Sequence, residues 1–176
     1  MPHYVALLRA VNVGGRTVRM EPLRVALEAI GLSGVETLIA SGNVLFHSRS
    51  RSDSALEKKI EGAMAKAFGF DIVTMVRSAP EIQAVAASEP FGALGEARLH
   101  IAFLKTIPPR QGVEKVMALR SEGEAVHLDG RELYFRIPGR MSDSAMFRAP
   151  IEKLLGVPMT VRTAGTVKKL ADRAAE

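Results

Sequence analysis

Leu7-Leu8-Arg9-Ala10-Val11-Asn12-Val13-Gly14-Gly15-Arg16 runs an apolar segment into paired glycines. These residue types suit an anion. Glycine lets backbone N–H groups approach a charged oxygen, Asn12 can orient it, and Arg9 and Arg16 supply positive charge. A helix opening after the loop would add its positive end. A second compact polar segment, Ser41-Gly42-Asn43, offers the same kind of donors. Each segment also has a plainer reading. Gly14 and Gly15 permit a tight strand-to-helix connection at positive φ, and glycine and asparagine are favoured in hairpin turns. The glycines match neither G-x-G-x-x-G nor the P-loop pattern G-x-x-x-x-G-K-[ST].

Other candidates are thinner. The serine-arginine run Ser48-Arg49-Ser50-Arg51-Ser52 can touch phosphates or form a solvated loop before a helix. Histidines 3, 47, 100 and 127 are scattered without ligand spacing, so no metal is expected. His100 and His127 fall in strands and read as hydrogen-bonded structural residues. With no cysteine there is no thiol nucleophile, thiolate zinc site or disulfide. No G-x-S-x-G or S-x-x-K motif occurs. Glu124, Asp129 and Glu132 alternate with Arg131 and Arg136, as cross-strand pairs would. No catalytic constellation and no cofactor site is recognisable, so whether the chain is an enzyme stays open.

Hydrophobic periodicity places these residues. Val5–Leu8 reads as a strand, Pro22–Ile30 as a helix stopped by Gly31, and Val35–Ile39 and Val44–His47 as a hairpin around Ser41-Gly42-Asn43. Ser54 and Glu57 form a capping-box pattern ahead of an apolar face through Leu56, Ile60, Met64 and Ala67. Ile72–Val76 is a strand. After a helix at Pro80–Ser88 and a linker at Glu89–Gly92, the order begins again. It has a strand at Leu99–Leu104, a helix around Val113–Met117, and strands at Ala125–Leu128 and Glu132–Ile137 about Asp129-Gly130. Then come a mostly helical Ser144–Leu155, kinked or restarted at Pro150, a strand at Met159–Arg162, and a final helix that Thr166 would cap.

The order β-α-β-β-α-β therefore appears twice. The fold expected is α+β, with two ferredoxin-like (βαββαβ, α-β plait) halves and an additional C-terminal helix. Residues 1–78 make the first half, 79–96 a helix and linker, and 97–176 the second half with the tail helix. In this topology the loop after the first strand and the hairpin between the second and third leave the sheet at one end. Asn12–Arg16 should then meet Ser41–Asn43, and Thr106–Arg110 should meet Asp129–Arg131. Both faces of the first-half strands are apolar and should be covered. His100, Tyr134 and Arg136 would be a sparse polar face in the second half, the only candidate for RNA stacking.

The chain of 176 residues is long enough to bury a core without staples. Its net charge of +5 permits an anionic partner, nucleic acid included, or reflects a modest cationic excess on a solvated surface. The start Met1-Pro2-His3-Tyr4 lacks a basic leader region and no apolar run suits a membrane span, so a cytoplasmic location is expected. The oligomeric state is not legible.

Four motifs, "YVALLRAVNVGG", "SGNVLF", "RLHIAFL" and "RELYF", together resemble the bacterial family of unknown function catalogued as DUF 1697. The resemblance implies two α-β plait halves and no established activity. The chain departs from it in places. Ala10 stands where the family commonly has glycine, and Ala40 where glutamine usually precedes the SGN turn. Thr160–Thr166 lacks two asparagines and a tryptophan of the family pattern, and Ser144-Ala145 replaces an S-K pair. Arg9, Asn12, Gly14, Gly15, Ser41, Gly42 and Asn43 are intact. The expectation is a small anionic or nucleotide-like ligand held by Arg9, Asn12, Gly14, Gly15, Arg16, Ser41, Gly42 and Asn43. The alternatives are nucleic-acid binding through the basic surface, and an interaction module without a ligand.

Overall fold

The computed structural model describes residues 1–40 and 42–176. The elements run β1 (His3–Leu8), α1 (Met20–Ala29), β2 (Ser33–Thr37), β3 (Asn43–His47), α2 (Asp53–Phe68), β4 (Thr74–Ser78) and α3 (Ala79–Ala87). They continue as β5 (Arg98–Leu104), α4 (Arg110–Met117), β6 (Ala125–Asp129), β7 (Glu132–Ile137), α5 (Ala145–Arg148), α6 (Ile151–Leu155), β8 (Met159–Thr163) and α7 (Ala164–Ala174), with a 3-10 turn at Met141–Asp143. Two antiparallel four-stranded sheets result, ordered β2-β3-β1-β4 and β6-β7-β5-β8. Both have the expected plait order. By compactness, Met1–Ala86 and Thr166–Glu176 form one unit and Ala87–Gly165 the other, so α7 groups with the first sheet.

The helices show why these segments fold as they do. In α1, Pro22 lies in the first turn, where no intrahelical N–H is needed, and Leu23 and Leu27 point into the core. Helix α2 begins at Ser52, whose hydroxyl accepts from the Ala55 N–H at 3.3 Å. It ends where Gly69 turns left-handed and donates to Ala65 O at 2.9 Å. Leu56, Ile60 and Met64 make its buried stripe. They pack with Tyr4, Ala6, Leu8, Val44, Phe46 and Val76 in one cluster. Each such fully buried aliphatic side chain contributes about 1.5–3 kcal/mol. The opposite face of that sheet, Val5, Leu7, Leu45 and Met75, is buried as well, as its apolar pattern requires.

Glu57 does not close a capping box. Its carboxylate accepts from the Val76 N–H at 3.0 Å, and Glu61, one turn on, accepts from the Thr74 N–H at 2.9 Å. The outer edge of β4 is thus occupied by side chains of α2. The second unit uses the same device, with Glu152 of α6 accepting from the Met159 N–H of β8 at 2.9 Å.

A second repeated feature lies three residues beyond Thr74 and Met159. Arg77 of β4 stands opposite Val5, and Arg162 of β8 opposite Ile101. Arg77 is fully buried and donates to Val76 O at 2.9 Å. Arg162 donates to Thr160 Oγ1 at 2.6 Å and Val161 O at 3.0 Å. Burial pulls its pKa down to about 10, which leaves it cationic at neutral pH.

Other details depart from the sequence expectations. Ser144–Leu155 is two short helices, and Pro150 begins the second. Helix α7 starts at Ala164, so Thr166 sits inside its first turn and is no cap. His100, Tyr134 and Arg136 do not share a face. His100 is opposite Phe135 while Tyr134 is opposite Ile101, and Tyr134 is 1% exposed. Arg136 donates to the carbonyls of Gly123 and Leu94 (3.4 Å for the latter), and Glu124 accepts instead from Ser144 Oγ at 2.6 Å.

Candidate functional site

At one end of the first sheet the strand that leads into the glycine loop pairs with the hairpin. Leu7 pairs with Asn43 in the β1–β3 register, and the Leu8 N–H donates to Gly42 O at 2.9 Å. Ser41 lies outside the described residues. A third segment joins them, which the sequence did not single out. The Arg9 N–H donates to Val73 O at 2.9 Å, and the Arg16 guanidinium lies 3.4 Å from Asp71 O and 5.3 Å from the centre of the Phe70 ring. The signal was available in the topology, because β4 starts at the end of the sheet where β1 finishes.

The glycine loop is a closed turn held by its own backbone. The Asn12 N–H donates to Arg16 O at 2.7 Å, Arg16 N–H to Val13 O at 3.1 Å, and Thr17 N–H to Gly15 O at 3.2 Å. Asn12 Oδ1 accepts from the Val18 N–H at 2.9 Å. Among the described residues, the N–H groups of Val13, Gly14 and Gly15 donate to nothing. Gly14 and Gly15 have φ of +59° and +82°, and a Cβ at either would meet nothing within 4 Å. Their glycine identity is therefore set by backbone conformation and not by crowding. Helix α1 starts only at Met20 behind Arg19, so the glycines do not open it.

The hairpin side is braced by Asn43, 4% exposed. Its Nδ2 donates to Leu38 O at 3.0 Å and Ile39 O at 3.1 Å, and its carbonyl accepts from Leu38 N–H at 3.0 Å. Asn12 and Asn43 thus hold the loops in shape.

Backbone strain is concentrated here. Among the described residues, the non-glycine residues at positive φ are Ala10 (+54°), Asn12 (+58°), Ile39 (+52°) and Ala40 (+71°). All four lie in these two loops. Asparagine tolerates this region, but a β-branched residue such as Ile39 is an outlier there. Val13 and Ile39 are also exposed apolar side chains, 56% and 45% accessible.

The corresponding end of the second sheet forms the same junction. The Leu104 N–H donates to Arg131 O at 2.8 Å, and Lys105 N–H to Pro158 O at 3.0 Å. The end of β5, from which Thr106–Arg110 departs, is thus joined to the hairpin at Arg131 and to the start of β8. Elsewhere, His3 and His47 stack with ring centres 4.2 Å apart, and no group of metal-binding side chains occurs among the described residues. Among the described residues, no helix is long and apolar enough to cross a membrane.

The family model described as "Protein of unknown function (DUF1697)" matches residues 1–134. Those residues include all three loops of the junction. A solved structure, the conserved bacterial protein SP0830 from Streptococcus pneumoniae, is similar in fold with a TM-score of 0.74. The two are 24% identical, and the similarity covers 100% of this chain and 99% of that one. Among curated proteins, none matches.

Proposed function

The chain belongs to the DUF1697 family, and from the geometry of the joined loops we propose that it binds a small anionic or nucleotide-like ligand in the cytoplasm. The observation that carries this reading is the strain. Left-handed non-glycine residues cost of the order of 1–3 kcal/mol each and persist where the surroundings hold them in place. The second unit makes the equivalent junction with none among the described residues. The topology alone therefore does not demand them.

Val13, Gly14 and Gly15 offer three consecutive backbone donors in a glycine-rich turn, the arrangement of an anion nest. Arg16 stands beside it. Its stacking on Phe70 is an exposed cation–π contact of about 0.5–1 kcal/mol, weak enough for an anion to displace. Arg9 adds charge at the β1 end. Val13 and Ile39 supply an apolar rim for the flat part of a ligand. Nucleic acid is the weaker alternative, because the burial of both sheets leaves no open aromatic face for bases.

Thermal denaturation with a panel of phosphates and nucleotides tests the reading. A ligand at about 100 times its Kd adds about 2.7 kcal/mol of stability. That gain should be present in the wild type and absent in Gly15→Val, where the new Cβ has space but an unfavourable φ. No ligand-dependent shift in either protein rejects the proposal.

A further inference from the structure

The serine-arginine run is not a loose loop. The Ser48 N–H donates to Pro2 O at 3.1 Å, and the Ser50 N–H to Ser48 Oγ at 3.1 Å. Tyr4, buried in the core, donates its hydroxyl to Ser50 O at 2.8 Å. The Ser52 N–H reaches Ser50 Oγ at 3.4 Å before Ser52 caps α2. Each turn of this segment is thus tied to the strands or to itself. The pinned segment walls a cavity of about 550 Å³ at the far end of β3 from the glycine loop.

Two cations face this cavity from different elements. Arg49 comes from the pinned segment and Lys59 from α2. Lys59 Nζ lies 3.9 Å from where a Gly31 Cβ would be, which brings the ammonium to the lining. Neither side chain has an ion-pair partner among the described residues. Among the described residues no carboxylate lines the cavity, and Ser33, Ser48 and Ser50 complete its polar wall. Ala55, Leu56 and Met1 give the remainder an apolar surface. A concavity whose charges are all of one sign concentrates counter-charge. Its volume is that of a small-molecule site and far exceeds one inorganic anion.

We infer that this cavity is a second site, separate from the glycine loop, that takes a small phosphomonoester with a polar organic body. Arg49 and Lys59 hold the phosphate, the serines meet hydroxyls, and Leu56 and Ala55 support the carbon skeleton. The inference goes beyond the loop site and does not depend on it.

Amide NMR on the full chain tests the site with three probes: ribose 5-phosphate, ribose and inorganic phosphate. Ribose 5-phosphate should give saturable shifts at Ser48, Arg49, Ser50, Leu56 and Lys59, with inorganic phosphate at least tenfold weaker and ribose silent. The double variant Arg49→Glu/Lys59→Glu should weaken binding at least tenfold. Both side chains are exposed, so charge reversal leaves the remaining spectrum unchanged. Gly15→Val should leave these shifts intact, which separates failure here from failure at residues 12–16. Shifts that do not saturate, that survive charge reversal, or that inorganic phosphate reproduces at equal affinity overturn the proposal.

Discussion

The same topological junction is built twice in this chain, once under strain and once without. In the first unit residues 9–19 connect β1 to α1, and residues 38–42 connect β2 to β3. In the second unit 105–109 and a two-residue turn at Gly130–Arg131 suffice. The anchoring hydrogen bonds correspond. Leu8 to Gly42 matches Leu104 to Arg131, and Arg9 to Val73 matches Lys105 to Pro158. The plait therefore accounts for the anchors but not for the longer loops, the left-handed Ala10, Ile39 and Ala40, or the open donors at 13–15. That surplus distinguishes the first-unit junction from its counterpart in the second unit.

Glycines sharpen the contrast, with the largest effect expected in the second unit. A Cβ on Gly112 of α4 would lie 2.6 Å from Leu155 O and 2.9 Å from Leu154 O, both backbone atoms. Gly112→Ala must push α4 away from α6 and should cost about 3 kcal/mol. Gly15→Ala meets no atom and strains only φ, at about 1 kcal/mol. Denaturant midpoints measure both. Equal losses would mean that the glycine loop is packed, not open.

Asn43→Ala comes next. It removes both side-chain donors that hold Leu38 O and Ile39 O, and an unmet buried partner costs about 1–3 kcal/mol. Stability should fall, and any nucleotide-dependent thermal shift should shrink with it because the hairpin side of the junction loosens. A stability loss with the ligand response intact would confine binding to the glycine loop.

A paired substitution tests the strain itself. Ala10 holds φ +54° in the connection that leaves β1. Ala10→Gly should stabilise by about 1 kcal/mol by removing left-handed strain. Thr106→Gly, at the matching connection without positive φ, should destabilise by up to about 1 kcal/mol by loosening the unfolded chain. The opposite signs are the signature. If both destabilise, Ala10 is not strained and the comparison loses its main support.

Much of this was legible in sequence, and what was not has identifiable causes. Alternating and helical periodicity gave both plait orders, because each core face repeats at its element's own period. Topology then brought the end of β1, from which the glycine loop departs, beside Gly42 and Asn43. The strand at Ile72–Val76 lies instead at Thr74–Ser78, because buried Arg77 breaks the apolar pattern that would have extended it. Glu57 read as a cap because local spacing says nothing of a strand that arrives from elsewhere in the chain to meet it. Phe70, Asp71 and Val73 carry no motif. They join the site only through the start of β4, and left-handed φ at Ile39 and Ala40 has no signature in residue type at all.

The smallest effect separates the units by pH. His3 in the first and His100 in the second are both held below the ordinary histidine value, first by burial, then by His47 for His3 and by Arg98 for His100. The folded state then binds fewer protons than the unfolded chain just below pH 6.5. Stability from both groups is complete above that pH and declines as pH falls from 6.5 towards the lowered folded values. His3 keeps a partner, with Nδ1 3.0 Å from Ala174 O, whereas His100 Nδ1 is buried with none among the described residues. Replacing the unpartnered ring with a hydrocarbon ring of similar shape leaves no hydrogen bond unmade. His100→Phe should therefore hold stability at pH 7.5 and remove its share of the decline by pH 5.5, while His3→Phe loses the bond to Ala174 and lowers stability at both. Denaturation at the two pH values reads the difference, and a His100→Phe protein as sensitive to pH as the wild type would show that His100 does not contribute to the decline.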